Sequence, residues 1–248
     1  MNIDYFLEIY GHLPRAGPGS RECTKRAYDM MDGLPECPRI LDLGCGPGAQ
    51  TVDLLQISGG HVVALDFLPL MLERTKSKAE QANVAQKLEM LEQDMNQMRF
   101  APASFDVVWS EGAIYNLGFE RGLKTIRSIV RPGGFVAVSE VVWLKADPPA
   151  RLVEFWRQYP EIASVTSKWE VISRLGYKSV GHFILPDRAW TAEYYDPMER
   201  LISEKQDPWS HIPEALKVLE EAKEEIAIFR KNSSYFGYAF FVMQRPLE

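Results

Sequence analysis

The sequence of 248 residues contains little cysteine. Cys23, Cys37 and Cys45 are its three cysteines, and their spacing forms no Cys-x-x-Cys pair. A disulfide framework or a cysteine zinc site requires paired or closely spaced cysteines. The four histidines are scattered along the chain as well. We therefore expect neither a disulfide-stabilised fold nor a bound metal ion.

An excess of positive charge and long apolar runs are also missing. Lys and Arg number 28 against 34 Asp and Glu, which gives a net charge of −6. Nucleic-acid binding depends on Lys and Arg that neutralise phosphates. Apolar runs such as Phe67–Leu72 are far shorter than the roughly 20 residues that span a bilayer. The first residues include Asp4 and Glu8 and lack the basic region of a signal peptide. We expect a cytoplasmic protein without a nucleic-acid or membrane partner.

Short β-branched segments alternate with segments of helical periodicity, which predicts an α/β fold with a mostly parallel sheet. Seven strands are predicted, over 39–43, 61–65, 87–91, 105–109, 135–140, 182–185 and 235–243. A final strand that follows a long excursion can run antiparallel to its neighbours. One helix is expected to begin just after Ser20, and a second is expected to run from the glycine-rich turn at 44–48 to about residue 56. Further helices are expected over about 70–82, 120–130, 148–160, 167–175 and 186–231.

The most informative segment is the glycine-rich turn ILDLGCGPGAQT at 40–51. Asp42, Gly44, Gly46 and Gly48 lie where a predicted strand becomes a helix, and glycines there let a ligand approach the backbone. Asp66 ends the next strand, 20 residues after Gly46, at the spacing of an acid that binds a ribose diol. The ligand is therefore expected to be a nucleoside derivative.

The same turn also fits the dinucleotide pattern G-x-G-x-x-A. Asp42 favours a different ligand, because a carboxylate would repel a pyrophosphate and attract the ammonium group of S-adenosylmethionine. Asp94 follows the third strand and is placed to accept a hydrogen bond from an adenine amino group. Met95 would offer its backbone N–H, and Phe67 and Met95 would enclose the base.

Five segments in this order resemble the class I S-adenosylmethionine-dependent methyltransferases. They are ILDLGCGPG at 40–48, VVALD at 62–66, EQDM at 92–95, FDVVWSEGAIY at 105–115 and VRPGGFVAVSE at 130–140. The stretch WSEGAIYNLGFERGL at 109–123, with PRAGPGS at 14–20, also resembles a group of prokaryotic methyltransferases close to the quinone-biosynthesis type. The resemblance implies a Rossmann-like fold, with a seven-stranded mostly parallel sheet and an antiparallel last strand. It implies one domain over 1–248, with an N-terminal segment and cap helix at 1–36, a cofactor-binding core at 37–143 and helical insertions at 144–248.

The resemblance also implies roles for individual residues. The three glycines of the turn would contact the methionine end and the sugar, and Asp66 would hold the ribose hydroxyls. Two further residues at the end of the fourth strand would lie near the methionine moiety. The full set of expected cofactor-binding residues is Asp42, Gly44, Gly46, Gly48, Asp66, Phe67, Asp94, Met95, Ser110 and Glu111. His12 and Arg15 lie in a segment that could close over the cofactor, and Arg15 is either a partner of the methionine carboxylate or a surface residue.

Methyl transfer is a displacement at an activated carbon, so the protein has chiefly to align the reactants and exclude water. A general base is needed only for a protonated nucleophile, and the sequence indicates no particular catalytic residue. The expected acceptor is a small molecule, because the Asn-Pro-Pro-Tyr motif of nucleic-acid amino-methylating enzymes is absent. The expected substrate-pocket residues are Glu111, Tyr115, Glu140 and Trp143.

Several alternatives remain open at the level of sequence. Glu111 binds the methionine ammonium, acts as a base or is structural, and Glu140 and Trp143 are pocket residues or parts of the protein interior. Trp156, Trp169, Trp190 and Trp209 in the insertions favour an apolar or aromatic acceptor, unless they are core. A nicotinamide-dependent oxidoreductase and a non-catalytic S-adenosylmethionine-binding protein are the competing functions. The acceptor, its nucleophilic atom and the oligomeric state are not determined.

Overall fold

The structure is a computed structural model that describes residues 3–247. Seven strands form one sheet in the order β3-β2-β1-β4-β5-β8-β7, and a short strand β6 pairs with the end of β5. The strands are β1 Arg39–Leu43, β2 His61–Asp66, β3 Leu88–Glu92, β4 Phe105–Glu111, β5 Val130–Trp143, β6 Ala163–Ser164, β7 Lys178–Ile184 and β8 Phe236–Gln244.

The predicted topology is confirmed. Strands β1 to β5 pair in parallel, whereas β8 runs antiparallel to both β5 and β7. Strand β1 is central, and its residues 40–43 are completely buried apolar side chains apart from Asp42. A strand that is covered on both faces reads as a continuous apolar run, which is why the short predicted segments were recognisable.

Helices cover both faces of the sheet and extend beyond its carboxyl edge. The helices are α1 Ile3–Tyr10, α2 Arg21–Tyr28, α3 Ala49–Ser58, α4 Pro69–Gln81, α5 Phe119–Arg127, α6 Ala150–Phe155, α7 Val165–Arg174, α8 Arg188–Trp190, α9 Asp196–Gln206 and α10 Pro213–Asn232. A π-helical turn, Thr191–Tyr195, joins α8 to α9.

Several segments differ from the sequence prediction, and three of the differences have a clear physical reason. Strand β5 runs to Trp143 rather than 140, because its last residues pair with the start of β8. The helical segment predicted over 186–231 is interrupted after Gln206, and Pro213 starts a new helix. A proline fits the first turn of a helix but cannot continue one. Helix α1 was not predicted, and its Ile9 is completely buried.

A second hydrophobic core lies apart from the sheet core. It joins α1, α6, the segment from α8 to α9, α10 and the beginning of β8. Among its buried members are Ile9, Trp190, Tyr195 and Phe229. This core packs the helices of the C-terminal part against the end of β5 at Val141, and we call these helices the helical roof.

Candidate functional site

A cavity of about 260 Å³ lies at the carboxyl ends of the central strands. Its walls come from residues 44–47 after β1, 66–68 after β2, Gln93 and Met95 after β3, and 111–113 at the end of β4. Ligands of open α/β sheets bind at this edge, outside the carboxyl ends of the strands. We call this space the cofactor cavity.

The glycines of the turn after β1 have different roles. Gly44 has φ +75°, and a Cβ there would lie 2.5 Å from Cβ of Ala113. Gly48 has φ +82°, and its Cβ would lie 2.4 Å from Oγ1 of Thr75 in α4. Gly44 and Gly46 line the cofactor cavity. Gly48 is not among the described residues that line it, and it instead allows the start of α3 to pack against α4.

Asp66 faces the cofactor cavity in a fixed orientation. Its Oδ2 accepts a hydrogen bond from the backbone N–H of Gly46 at 2.9 Å, and its Oδ1 accepts one from Leu68 at 3.0 Å. Burial raises the pKa of Asp66, and the backbone hydrogen bonds oppose that rise. Each carboxylate oxygen can accept a further hydrogen bond, so Asp66 can still bind a diol.

Asp42 lies behind the glycine turn and not in the lining of the cavity. It is completely buried, and its Oδ2 accepts a hydrogen bond from Oγ1 of Thr51 at 2.6 Å. Its Oδ1 has no hydrogen-bond partner. Burial raises the pKa of Asp42 to about 7. When it is ionised, its charge can act on a ligand only through the intervening turn, without the direct contact that the sequence suggested.

The expected adenine-binding residues are only partly brought together. Phe67, which is 59% exposed, and Met95 both line the cofactor cavity. Asp94 is not among the described lining residues, and its Oδ1 accepts a hydrogen bond from the backbone N–H of Asn96 at 2.8 Å. Asp94 thus caps the short turn that places Met95. Gln93 lines the cavity in its stead, a residue that the sequence analysis did not identify.

Arg15 lies in the wall of the cofactor cavity and contacts three carboxylates. Its Nε donates to Glu193 at 2.8 Å, its Nη1 to Glu111 at 3.1 Å and its Nη2 to Asp53 at 2.7 Å. Burial disfavours the charged guanidinium, but the three carboxylates outweigh it and raise the pKa of Arg15. Neither Asp53 in α3 nor Glu193 was identified from the sequence, because their proximity arises only on folding.

Glu111 connects this network to the strand. Its Oε1 accepts hydrogen bonds from Oγ1 of Thr24 at 2.7 Å and Nε1 of Trp109 at 2.9 Å, in addition to the contact with Arg15. Burial raises the pKa of Glu111, whereas Arg15 lowers it. These contacts favour a structural role for a carboxylate that also lines the cavity. Ser110 is completely buried and donates to the backbone oxygen of Leu43 at 2.9 Å, so it joins β4 to β1.

A second cavity of about 410 Å³ adjoins the first. The two share Phe6, residues 16–18, Gly112 and Tyr115 in their walls. The second cavity lies under the helical roof and is lined mainly by aromatic side chains. We call it the acceptor cavity. Its aromatic lining consists of Phe6, Tyr10, Tyr115, Phe155, Trp156, Tyr159, Trp190, Tyr194, Tyr195, Phe236 and Tyr238.

Of the four expected substrate-pocket residues, Glu111 lines the cofactor cavity and Tyr115 lines both. Glu140 and Trp143 are not among the described residues that line either one. Glu140 is buried and accepts hydrogen bonds from Nζ of Lys168 at 2.9 Å and from the hydroxyl of Tyr159. Trp143 packs against the second hydrophobic core.

The four tryptophans of the insertions and the N-terminal residues fall into two groups. Trp156, Trp190 and Arg15 reach the cavities. Trp209 packs against Tyr5 and Trp169 donates to Nδ1 of His182, both away from these cavities. His12 is 3.2 Å from Nη2 of Arg74 and is likewise outside the described lining.

Within residues 3–247, no group of three or more His, Cys, Asp or Glu side chains is arranged to hold a metal ion. None of the helices in that range combines the length and the apolar character required to cross a bilayer.

Solved structures share this fold over nearly the whole chain. A SAM-dependent methyltransferase from Thiobacillus denitrificans in complex with S-adenosyl-L-homocysteine superimposes with a TM-score of 0.85, covering 98% of both chains at 19% identity. A SAM-dependent methyltransferase from Geobacter sulfurreducens, in complex with the same compound, gives 0.84 over 97% of both chains at 18% identity. The fold is that of the class I S-adenosylmethionine-dependent methyltransferases.

The sequence comparison agrees with the fold. Residues 40–134 match the family model described as "Methyltransferase domain". The sterol 24-C-methyltransferase erg6 of Aspergillus fumigatus is 26% identical over 188 residues, which cover 71% of this chain and 49% of that protein. The chain therefore has the fold of S-adenosylmethionine-dependent methyltransferases, and its residues 40–134 are similar in sequence to a methyltransferase domain. It spans about half the length of that curated relative.

Proposed function

We propose that the protein transfers a methyl group from S-adenosylmethionine to a small-molecule acceptor. The observation that carries this proposal is the pair of adjoining cavities. The first lies at the sheet edge with the glycine turn and Asp66, and the second is a largely aromatic space that shares Gly112 and Tyr115 with it. A methyl donor in one and an acceptor in the other would meet at that shared wall.

The charges around the cofactor cavity suit S-adenosylmethionine. Arg15 and Arg21 contribute two guanidinium groups to a network with the carboxylates of Asp53, Glu111 and Glu193. Among the described residues that line the cavity itself, the carboxylates of Asp66 and Glu111 against the guanidinium of Arg15 leave one net negative charge. A ligand with a sulfonium and an ammonium group is attracted by that charge, whereas a pyrophosphate is repelled. The guanidinium of Arg15 has more N–H donors than its three contacts use, so it can also bind the methionine carboxylate.

The other residues around the cofactor cavity fit the ribose and the adenine of the same ligand. Asp66 has free acceptor sites for the ribose hydroxyls, and Phe67 and Met95 provide apolar surfaces on either side of an adenine. The unpartnered Oδ1 of Asp42 adds negative charge behind the turn. We propose that Asp42 acts through this charge and that Asp94 acts by placing Met95.

S-adenosylmethionine, when bound, supplies a methyl group on a sulfonium, which is a good leaving group. The chain's own residues then have to orient the acceptor and exclude water. Tyr115 lies at the boundary of the two cavities, and the helical roof covers the acceptor cavity. An acceptor that arrives with a free lone pair needs no general base, which agrees with the structural contacts of Glu111.

We also infer that the chain forms one domain, because β7 and β8 complete the sheet that the core at 37–143 begins. The net charge of −6 supports a low-molecular-weight acceptor over a nucleic acid and fits a cytoplasmic protein. The names of the curated relatives refer to sterols, so a sterol belongs among the acceptors to be tested.

Calorimetric titration of the purified protein with S-adenosylmethionine, S-adenosylhomocysteine and NAD tests the proposal. We expect micromolar binding of both sulfur nucleosides and none of NAD. Binding of NAD alone would instead support a nicotinamide-dependent oxidoreductase.

Transfer of a labelled methyl group separates the remaining alternatives. Incorporation into any small-molecule acceptor establishes an enzyme. Tight binding of S-adenosylmethionine with no transfer to amines, alcohols, thiols or sterols would support the non-catalytic binding protein.

A further inference from the structure

Glu225 of α10 lines the acceptor cavity and has only neutral partners in the described part of the chain. Its Oε1 accepts hydrogen bonds from the hydroxyls of Tyr194 at 3.0 Å and Tyr195 at 3.1 Å. Its Oε2 accepts one from Tyr10 at 3.5 Å. No Lys, Arg or His among residues 3–247 forms an ion pair with it.

The two arginines that line a groove together with Glu225 form ion pairs with other carboxylates. A surface groove shares Tyr10 and Glu225 with the acceptor cavity and is also lined by Arg151 and Arg157. Nη2 of Arg151 is 3.7 Å from Glu224, and Arg157 pairs with Glu154. The carboxylate of Glu225 therefore lies between the groove and the cavity without a positive charge to compensate it.

A charged carboxylate that is shielded from water and lacks a cation is energetically costly, and a cationic ligand removes that cost. Burial raises the pKa of Glu225, and the hydrogen bonds from its tyrosines oppose the rise. The three phenol donors therefore stabilise the charged form, which is the form that attracts a cation.

The walls around Glu225 are suited to a positively charged group with alkyl substituents. The rings of Trp190 and Tyr238 have centroids 5.1 Å apart, and those of Trp190 and Tyr195 are 5.9 Å apart. Tyr115 and Tyr159 form a further edge-to-face pair with a centroid distance of 5.9 Å. Aromatic faces attract ammonium ions through their quadrupole and exclude water at the same time. An acceptor cavity built for a purely apolar ligand would not require the carboxylate.

We propose that the acceptor cavity binds a small molecule through an ammonium group that lies against Glu225 and among the surrounding aromatic rings. The ammonium group has no free lone pair, so it would anchor the acceptor while the methyl group goes to another atom of the same molecule. The amine-bearing class of acceptor rests on the proposed function, whereas binding of the ammonium group does not depend on methyl transfer. A neutral apolar acceptor, such as a sterol, is the competing outcome.

Two probes of equal shape and different charge test the proposal. Choline carries a trimethylammonium group, and 3,3-dimethyl-1-butanol carries a neutral tert-butyl group in its place. Calorimetry is performed with each probe on the intact protein, free and saturated with S-adenosylhomocysteine. We expect choline to bind at least about tenfold more tightly than the neutral analogue, as a change of about 1.4 kcal/mol corresponds to tenfold.

The variant Glu225→Gln keeps the shape of the side chain and removes its charge. It is expected to lower the affinity for choline about tenfold or more and to leave binding of the neutral analogue and of S-adenosylhomocysteine unchanged. Glu221→Gln is the matched control, because Glu221 lies one turn away on the same helix, lines only the groove and is 44% exposed. That control is expected to bind choline like the unmodified protein.

Equal affinity for both probes, no binding of choline or an unchanged affinity in Glu225→Gln would overturn the proposal. Preferential methyl transfer to neutral sterols over acceptors that also carry an ammonium group would overturn the amine-bearing class of acceptor. Failure of the unmodified protein to bind S-adenosylhomocysteine would instead refute the proposed function, while the comparison of the two probes would still report on the cavity.

Discussion

Glu140 and Glu225 are two carboxylates beside the acceptor cavity that have opposite environments. The carboxylate of Glu140 forms a buried ion pair with Lys168 and accepts a hydrogen bond from the hydroxyl of Tyr159. Glu225 receives hydrogen bonds only from tyrosines and faces the cavity. The first has its charge compensated inside the protein, so it stabilises the fold. The second leaves its charge available to a ligand, and Asp66 in the wall of the cofactor cavity shares that property.

The largest expected effect comes from removing the compensating cation of Glu140. The variant Lys168→Met leaves Glu140 buried without a positive partner, which makes it resemble Glu225. Breaking one side of a buried ion pair costs about 3–5 kcal/mol, so the free energy of unfolding is expected to fall by that amount. Urea denaturation measures it, with Lys217→Met as the control because Lys217 is 72% exposed. A loss no larger than in the control would mean that Glu140 does not need Lys168.

Asp42, a buried carboxyl group behind the cofactor cavity, is expected to make the free energy of unfolding depend on pH. Its pKa in the folded protein is about 7, well above the ordinary aspartate value of 3.8, because the carboxyl group is buried. The folded state therefore retains a proton that the unfolded state has lost, and this contribution to stability disappears as the pH rises through 7. From pH 5 to pH 8, the unmodified protein is expected to lose about 2–3 kcal/mol relative to Asp42→Asn. Parallel stability profiles for the two proteins would contradict the assignment.

Asp66 provides the corresponding test for ligand binding. Asp66→Ala removes the carboxylate expected to hold the ribose hydroxyls. The free energy of binding of S-adenosylhomocysteine is expected to become less favourable by about 1–3 kcal/mol, the range for buried polar groups that lose their partners. Calorimetry measures the change, and Glu89→Ala on the outer strand β3 is the control, since Glu89 is 65% exposed. Unchanged affinity would mean that Asp66 does not contact the ribose.

The smallest expected effect is the change in the free energy of unfolding caused by Glu225→Gln. Because Glu225 has no cation to leave behind, its neutralisation is expected to change the free energy of unfolding by less than about 1 kcal/mol. The measurement is denaturation at neutral pH, made beside Lys168→Met. A loss as large as in Lys168→Met would show that Glu225 is structural and would remove the contrast between the two carboxylates.

The sheet was largely predictable from the sequence because its strands are short apolar segments between helical ones. Each predicted strand has a counterpart within a few residues, and the antiparallel last strand is present. The main errors concern features that depend on distant partners. Strand β5 extends because β8 pairs with it, and α1 forms where Ile9 can pack into the second core.

The cofactor region was predictable to the extent that it is local. Gly44, Gly46 and Asp66 are identified by their spacing along two strands, and the structure places them in one cavity wall. The functions of Asp94 and Glu140 were harder to infer. A carboxylate at the end of a strand looks the same in sequence whether it caps a turn, pairs with a lysine or faces a ligand.

The sequence by itself determined the alternation of strands and helices and the glycine turn with its acidic partner. These depend on residues that are close along the chain or repeat with a regular period. Only the tertiary structure decided which charges are compensated. Arg15 meets Asp53, Glu111 and Glu193, and Glu225 meets three tyrosines, across separations of 30 to 215 residues. Such encounters depend on how the elements pack in space, and no local pattern along the chain encodes them.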